Sequence, residues 1–110
     1  MSIYRMSENC AVSGQITAND VTTLAVEGYA TVICNRPDGE EYGQPLASDV
    51  AAACEEHGIV FHHIPIDRSG LTQTMVDNFR AAVASSEGLV LAYCRSGQRS
   101  SVIWQASGSP

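Results

Sequence analysis

The sequence predicts an α/β fold, a mostly parallel central sheet with helices on its faces. Three observations predict it. From residue 17 onward, segments with helical and strand patterning alternate: helix, strand, helix, strand, helix, strand, helix. Two short apolar runs, Thr31 to Asn35 and Leu89 to Tyr93, read as buried strands. The helical segments carry start and stop signals at their ends. At 110 residues the chain forms one domain, residues 1–110, with a single core.

Taken in order, Ile3 to Met6 and Cys10 to Val12 read as two short strands joined by Ser7-Glu8-Asn9. Ser13-Gly14-Gln15 is a turn. Thr17 has the character of an N-cap, with Asp20 in a capping-box-like place three residues on. Val21, Leu24 and Ala25 mark the apolar face of the first helix, and Gly28 stops it. The strand Thr31 to Asn35 leads into a polar loop, Arg36 to Pro45, dense in turn formers. Ser48 to His57 is the second helix, with Val50, Ala53, Cys54 and His57 on one face. Ile59 to Ile66 reads as a strand, and Asp67-Arg68-Ser69-Gly70 as a loop. Thr72 caps the third helix, with Leu71 and Val76 as a hydrophobic staple and Met75, Val76, Phe79, Ala82 and Val83 as its core face. Ser85 to Gly88 ends it, Leu89 to Tyr93 is the last strand, and a fourth helix starts near Arg99 to Ser101 and runs towards Ser107.

The formal charge is −6 and all six basic residues are arginines. An acidic chain argues against non-specific nucleic-acid binding and against anionic membrane surfaces. No apolar run reaches the ~18 residues of a membrane span, and no secretory signal is visible, so a cytoplasmic location is expected. No C-x-x-C pair, H-x-x-x-H pair or carboxylate cluster with ligand spacing occurs, so neither a metal nor another cofactor is expected. Cys10, Cys34 and Cys54 read as small buried hydrophobes.

Cys94 differs. It follows the last strand and opens Cys94-Arg95-Ser96-Gly97-Gln98-Arg99-Ser100, which runs into a helix. A helix N-terminus presents unpaired N–H groups and the positive end of the dipole. These favour a thiolate and hold an anion beside it. Sites in such sheets form beyond the carboxyl ends of the strands, here where Asn35 to Pro45, Asp67 to Gly70 and Cys94 to Ser100 meet. Arg36 and Asp38 either line that pocket and help bind an anion, or pair with each other. Glu40 and Glu41 are expected in solvent. His62 and His63 are neighbours on a strand, point to opposite faces and read as structural, and His57 interacts with a helix C-terminus. Trp104 is expected to pack in the core.

The Cys94 to Ser100 run resembles the active-site loop of rhodanese-like sulfurtransferases. The chain as a whole resembles the phosphatase-like domain of beta-lactamase-hydrolase-like proteins, through Ser13-Gly14-Gln15-Ile16-Thr17, Asn35 to Glu40, His63-Ile64-Pro65 and Tyr93 to Ser100. That resemblance implies a cysteine-phosphatase-like fold of the dual-specificity type with Cys94 as nucleophile. It also implies a metallo-hydrolase resembling persulfide dioxygenases as a partner.

Loop length separates the two chemistries. Cysteine phosphatases wrap a tetrahedral anion in a loop one residue longer, ending in an arginine that binds two oxygens. Here four residues lie between Cys94 and Arg99, the rhodanese-like spacing, and Ser100 takes the phosphatase arginine's place. Tyr93 also replaces the histidine usual before a phosphatase cysteine. The first expectation is therefore a sulfurtransferase moving sulfane sulfur through a persulfide on Cys94, from a small anionic donor to a thiol. Arg99 and the loop amides of Ser96, Gly97 and Gln98 stabilise the persulfide, Gly97 lets the backbone bend, and Arg95 recruits the donor. Ser100 either donates to the thiolate or caps the helix, and capping is preferred. The alternative is a phosphatase acting on a phosphoester, with Asp67 or Asp38 as general acid. Asp67 precedes Cys94 by 27 residues, but an Asx turn is the preferred role for it. A third possibility is a non-catalytic module that binds an anion or persulfide for a partner.

Overall fold

A computed structural model describes residues 1–110. Its elements are β1 (Ile3–Arg5), β2 (Cys10–Ser13), α1 (Asp20–Val26), β3 (Tyr29–Cys34), α2 (Ala47–Glu56), β4 (Val60–His63), α3 (Gln73–Ser85), β5 (Leu89–Tyr93) and α4 (Gln98–Ala106). The five strands form one sheet in the order β1-β2-β5-β3-β4. Only β1 runs antiparallel to its neighbour. The β2–β5, β5–β3 and β3–β4 pairs are parallel, so the expected mostly parallel sheet is present.

Strand β5 lies at the centre, and its sequence explains why. Val90, Leu91, Ala92 and Tyr93 are each no more than 2% exposed, and successive side chains point to opposite faces. Leu91 and Tyr93 join the core under α1 and α2, with Val21, Leu24, Val50 and Cys54. Val90 and Ala92 join the core under α3 and α4, with Val76, Phe79, Ala82 and Ile103. A strand covered on both faces needs an unbroken apolar run.

Helix α3 begins as expected: the Thr72 hydroxyl accepts the Met75 N–H at 3.2 Å. Helix α1 starts three residues later than Thr17, because Thr17 to Asn19 form a turn. The Asp20 carboxylate still accepts the Thr17 N–H at 2.9 Å, half of a capping box. Helix α2 starts one residue early, at Ala47. Leu46 before it has no polar side chain to offer, and Asp38 from the preceding loop accepts the Ala47 N–H at 2.8 Å instead. Strand β4 ends at His63 rather than Ile66. Pro65 has no N–H to donate, though the Ile64 and Ile66 amides still reach the carbonyls of Cys34 and Asn35. No helix is long and apolar enough to cross a membrane.

Leu91→Ala, in the middle of β5, should cost about 2–5 kcal/mol. Val26→Ala, at a side chain left 84% exposed, should stay within about 0.5 kcal/mol of the parent. Urea unfolding of the two variants measures both.

Candidate active site

Strand β5 carries Cys94 out between β2 and β3. The Tyr93 carbonyl accepts the Asn35 N–H at 2.7 Å, and the Cys94 N–H donates to the Ser13 carbonyl at 3.3 Å. The thiol is thus fixed at the carboxyl edge of the sheet, where the fold predicts a site. Tyr93 turns into the α1/α2 core.

The loop then folds back over the sulfur. Gly97 adopts φ +93°, a left-handed conformation that glycine takes without strain, and its N–H reaches Cys94 Sγ at 3.1 Å. A second glycine allows the loop to lie against the end of β2. A Cβ on Gly14 would sit 3.0 Å from the Arg95 carbonyl oxygen, and the Gln15 N–H donates to that same oxygen at 3.3 Å. The turn Ser13-Gly14-Gln15 therefore forms one wall of the site, a role that its turn chemistry alone did not announce.

Cys94 is fully buried. Burial pushes its thiol up, but the N–H groups of Ser100 and Ser96, the Ser100 hydroxyl and the Gly97 N–H together hold it below the ordinary cysteine value. The other three cysteines move the opposite way. Desolvation raises Cys10 and Cys34, and pushes Cys54 up to about 11. They are buried small hydrophobes, as the sequence suggests.

Ser100 does not cap the helix. Helix α4 starts at Gln98, which places Ser100 inside the first turn. The Gln98 N–H is instead met by the Ser96 hydroxyl at 3.3 Å. The Ser100 hydroxyl donates to Asn35 Oδ1 at 2.8 Å, and Asn35 is itself anchored by donating to the Ile64 carbonyl at 3.0 Å. Asn35 was not among the residues the sequence singled out.

The arginines part company. Arg95 is exposed. Arg36 is 2% exposed, and all three of its nitrogens are engaged. Nε donates to Glu40 at 2.9 Å, Nη1 to Gln15 Oε1 at 3.0 Å and Nη2 to Glu41 at 3.0 Å. It is neither a free anion binder nor the partner of Asp38, whose carboxylate is spent on α2. Arg99 grips Glu40 with two nitrogens, Nη1 to Oε2 and Nη2 to Oε1, each at 2.8 Å, and Nη1 also donates to the Ile66 carbonyl at 2.9 Å.

Glu40 is thus no solvated loop residue: it joins two arginines. Hydrogen bonds from Arg99 outweigh its partial burial and, with those from Arg36, hold its carboxyl at about 2. The spacing of Arg36 and Glu40, four residues apart, was the one local hint of the pair; the link to Arg99 had none.

Asp67 Oδ1 accepts the Ser69 N–H at 2.8 Å, the Asx turn weighed from the sequence. Its residue also borders a groove of about 300 Å3 beside Arg99, lined further by Ile66, Leu71, Gln98 and Val102. His63 contacts the Arg36 carbonyl at 2.9 Å and His57 the Ala53 carbonyl at 2.9 Å, the latter at the end of α2. Trp104 is half-buried against the α3/α4 core.

With that geometry in place, comparison with known proteins is direct. Residues 3–109 match the model of the phosphatase-like domain of beta-lactamase hydrolase-like proteins. The chain belongs to this family. Beta-lactamase hydrolase-like proteins of Xylella fastidiosa (strain Temecula1) and Agrobacterium fabrum share 34% identity over 107 residues and 31% over 104 residues with it, covering 97% and 94% of this chain. Those matches span 25% and 24% of the relatives, so the chain corresponds to about a quarter of their length. Among solved structures, a candidate phosphatase of Neisseria meningitidis superposes with a TM-score of 0.84 at 38% identity, covering 94% of this chain and 74% of that one. A mutant form of Tk-PTP superposes at 0.75 with 17% identity, covering 96% of this chain and 69% of that one, and shares the fold. The beta-lactamase-hydrolase-like domain is therefore a phosphatase-like fold with a cysteine at its carboxyl edge.

Two predictions follow from the electrostatics. Ser100→Ala removes a hydroxyl that holds the thiol down and should raise the Cys94 pKa, read from ultraviolet thiolate absorbance against pH with Cys94→Ser as blank. Glu40→Gln should lower stability at neutral pH. A carboxyl held at about 2 instead of the usual 4.5 gives its full contribution above the higher value and loses it as pH falls through the lower. The gap in urea midpoint between parent and variant should be constant above about pH 5.5 and narrow as the medium is acidified below it.

Proposed function

We propose that this domain is a sulfurtransferase in which Cys94 carries sulfur as a persulfide. The observation that carries the proposal is the short ring, Cys94 to Arg99, with four residues between. The Gly97 N–H reaches the sulfur at 3.1 Å, and the N–H groups of Ser96 and Ser100 add to it in lowering the thiol pKa. A ring drawn in this tightly suits one added sulfur atom better than a tetrahedral phosphoryl group.

The chemistry is redox-neutral. The Cys94 thiolate attacks the outer sulfur of a donor R–S–SH. The new bond joins Sγ to that sulfur, the old S–S bond breaks, and its electron pair leaves with RS⁻. An acceptor thiolate then attacks the outer sulfur of the Cys94 persulfide and regenerates the thiolate. The loop amides hold the negative charge at each stage. Arg95, exposed at the mouth, draws anionic donors, and Arg99, its charge matched by Glu40, closes the ring beside the sulfur. Gly97 and Ser100 set the ring, Gln98 lines the adjoining groove, and Arg36 positions Glu40. No step needs a general acid on a leaving alkoxide, a metal or another cofactor. The acceptor is a small thiol, or a partner metallo-hydrolase of persulfide-dioxygenase type that consumes the product.

Phosphoester hydrolysis is the second reading. The family and the descriptions of its structural neighbours favour it, and taken alone they speak for it more than for sulfur transfer. It keeps Cys94 as nucleophile but needs an acid for the departing alcohol. Glu40, held at about 2, stays ionised at neutral pH. Asp38 is bound to the Ala47 N–H, which leaves Asp67 at the groove.

Incubation with thiosulfate or with glutathione persulfide, followed by intact mass measurement, should show a gain of one sulfur atom that Cys94→Ser abolishes. An aryl phosphate assay run beside it should show no turnover. Cys94-dependent phosphate release without a sulfur adduct would overturn the assignment in favour of the second reading.

A further inference from the structure

Four charged groups form a chain that ends on Arg99, beside Cys94, and their sum bears on what the site admits. Arg99 and Arg36 bring two positive charges. Glu40 shares its carboxylate between them, accepting from Arg99 at 2.8 Å twice and from Arg36 at 2.9 Å, and Glu41 takes the outer nitrogen of Arg36. Two arginines and two glutamates cancel. What remains for an incoming anion is the ring of amides, the helix terminus and the exposed Arg95. The two Arg99 nitrogens that would face a pair of phosphate oxygens already hold a pair of carboxylate oxygens. A dianion arriving there must displace Glu40 or lie against it, and like charges brought together in a site cost affinity steeply.

The groove beside the clamp carries the opposite preference. It runs from Arg99 along Ile66, Leu71 and Val102, and its wall is mainly apolar apart from Asp67 and Gln98. Val102 is 46% exposed there, an apolar side chain on a helix face with nothing packed over it. A volume of about 300 Å3 sits at the lower end of the range for small-molecule sites. Inorganic ions have no body to place in it.

We propose that Glu40 is a charge filter on the Cys94 site, and that the donor is an organic hydropersulfide rather than a dianion such as thiosulfate. Its organic body lies in the Ile66–Leu71–Val102 groove, and its outer sulfur reaches the amide ring. This assignment of the donor rests on the sulfur-transfer reading; the filter itself does not, because it acts on any anion. Glu40 touches neither sulfur in this scheme. It is a specificity-determining residue that acts by occupying Arg99.

The test separates these parts. Inorganic phosphate and thiosulfate are titrated by calorimetry into the parent domain, Glu40→Gln, Glu40→Asp and Glu41→Gln, with circular dichroism to establish that each is folded. The filter predicts that Glu40→Gln binds both ions at least about tenfold more tightly than the parent. Glu40→Asp keeps the charge and should stay close to the parent, as should Glu41→Gln, which leaves the Arg99 clamp intact. Unchanged or weaker binding by a folded Glu40→Gln, or Glu40→Asp behaving like Glu40→Gln, would overturn the filter and leave Glu40 a structural brace. Rates of sulfur loading then test the donor. The ratio of kcat/KM for butyl hydropersulfide, whose body is uncharged and apolar, to that for thiosulfate should exceed about tenfold in the parent and fall in Glu40→Gln. Val102→Ser should raise KM for the organic donor and leave thiosulfate unchanged. Faster loading from thiosulfate in the parent overturns the donor assignment alone. Failure of both donors to load Cys94 overturns the sulfur-transfer reading while the ion titrations still judge the filter.

Discussion

The site depends on one constraint: the pKa of a buried thiol must be brought down by backbone N–H groups against the desolvation that pushes it up. Burial by itself moves Cys94 the wrong way, as it does Cys10, Cys34 and Cys54. Only the return of the chain over the sulfur reverses the sign. That return needs Gly97 in a left-handed conformation and Gly14 bare enough for the Arg95 carbonyl to lie against it. The ring is anchored to the ends of β2 and β3 as well as to β5, so three strands fix where one sulfur sits.

The second organising interaction is the Glu40 clamp. Arg36 is nearly inaccessible to solvent, and a buried guanidinium without a partner would be costly. Glu40, Glu41 and Gln15 give each of its three nitrogens a partner. The same Glu40 also holds Arg99 and ties the loop after β3 to the first turn of α4. Loop, ring and helix are thereby one electrostatic unit. The family supplies a scaffold in which phosphatases are found; the proposed sulfur transfer rests on the ring spacing and the occupied arginine.

Much of this was legible in the residues. The alternation from residue 17 gave the parallel sheet, because strand and helix carry different apolar periods. The unbroken run Leu89 to Tyr93 marked β5 as a strand covered on both faces. Cys94 stood out as the cysteine followed by polar, arginine-bearing residues at a strand end. Thr72 and Asp67 did what their local chemistry suggested, as a cap and an Asx turn. Ser100 was misjudged by a small margin with a large effect. The helix starts at Gln98, and a shift of one or two residues turns a capping serine into one that faces Asn35.

What the sequence determined by itself were features set by neighbours along the chain: the order of elements, the Thr72 cap, the cysteine at the strand end and the spacing from it to Arg99. What only the tertiary structure decided was which charges meet. Arg99 and Glu40 lie 59 residues apart, and Asn35 and Ser100 lie 65 apart. Asp38 serves a helix nine residues on instead of the adjacent arginine. The register of three parallel strands brings their loops to one edge, and at that edge distance in space replaces distance in sequence. A carboxylate that looked solvated in its own loop therefore became the group that governs the arginine beside Cys94.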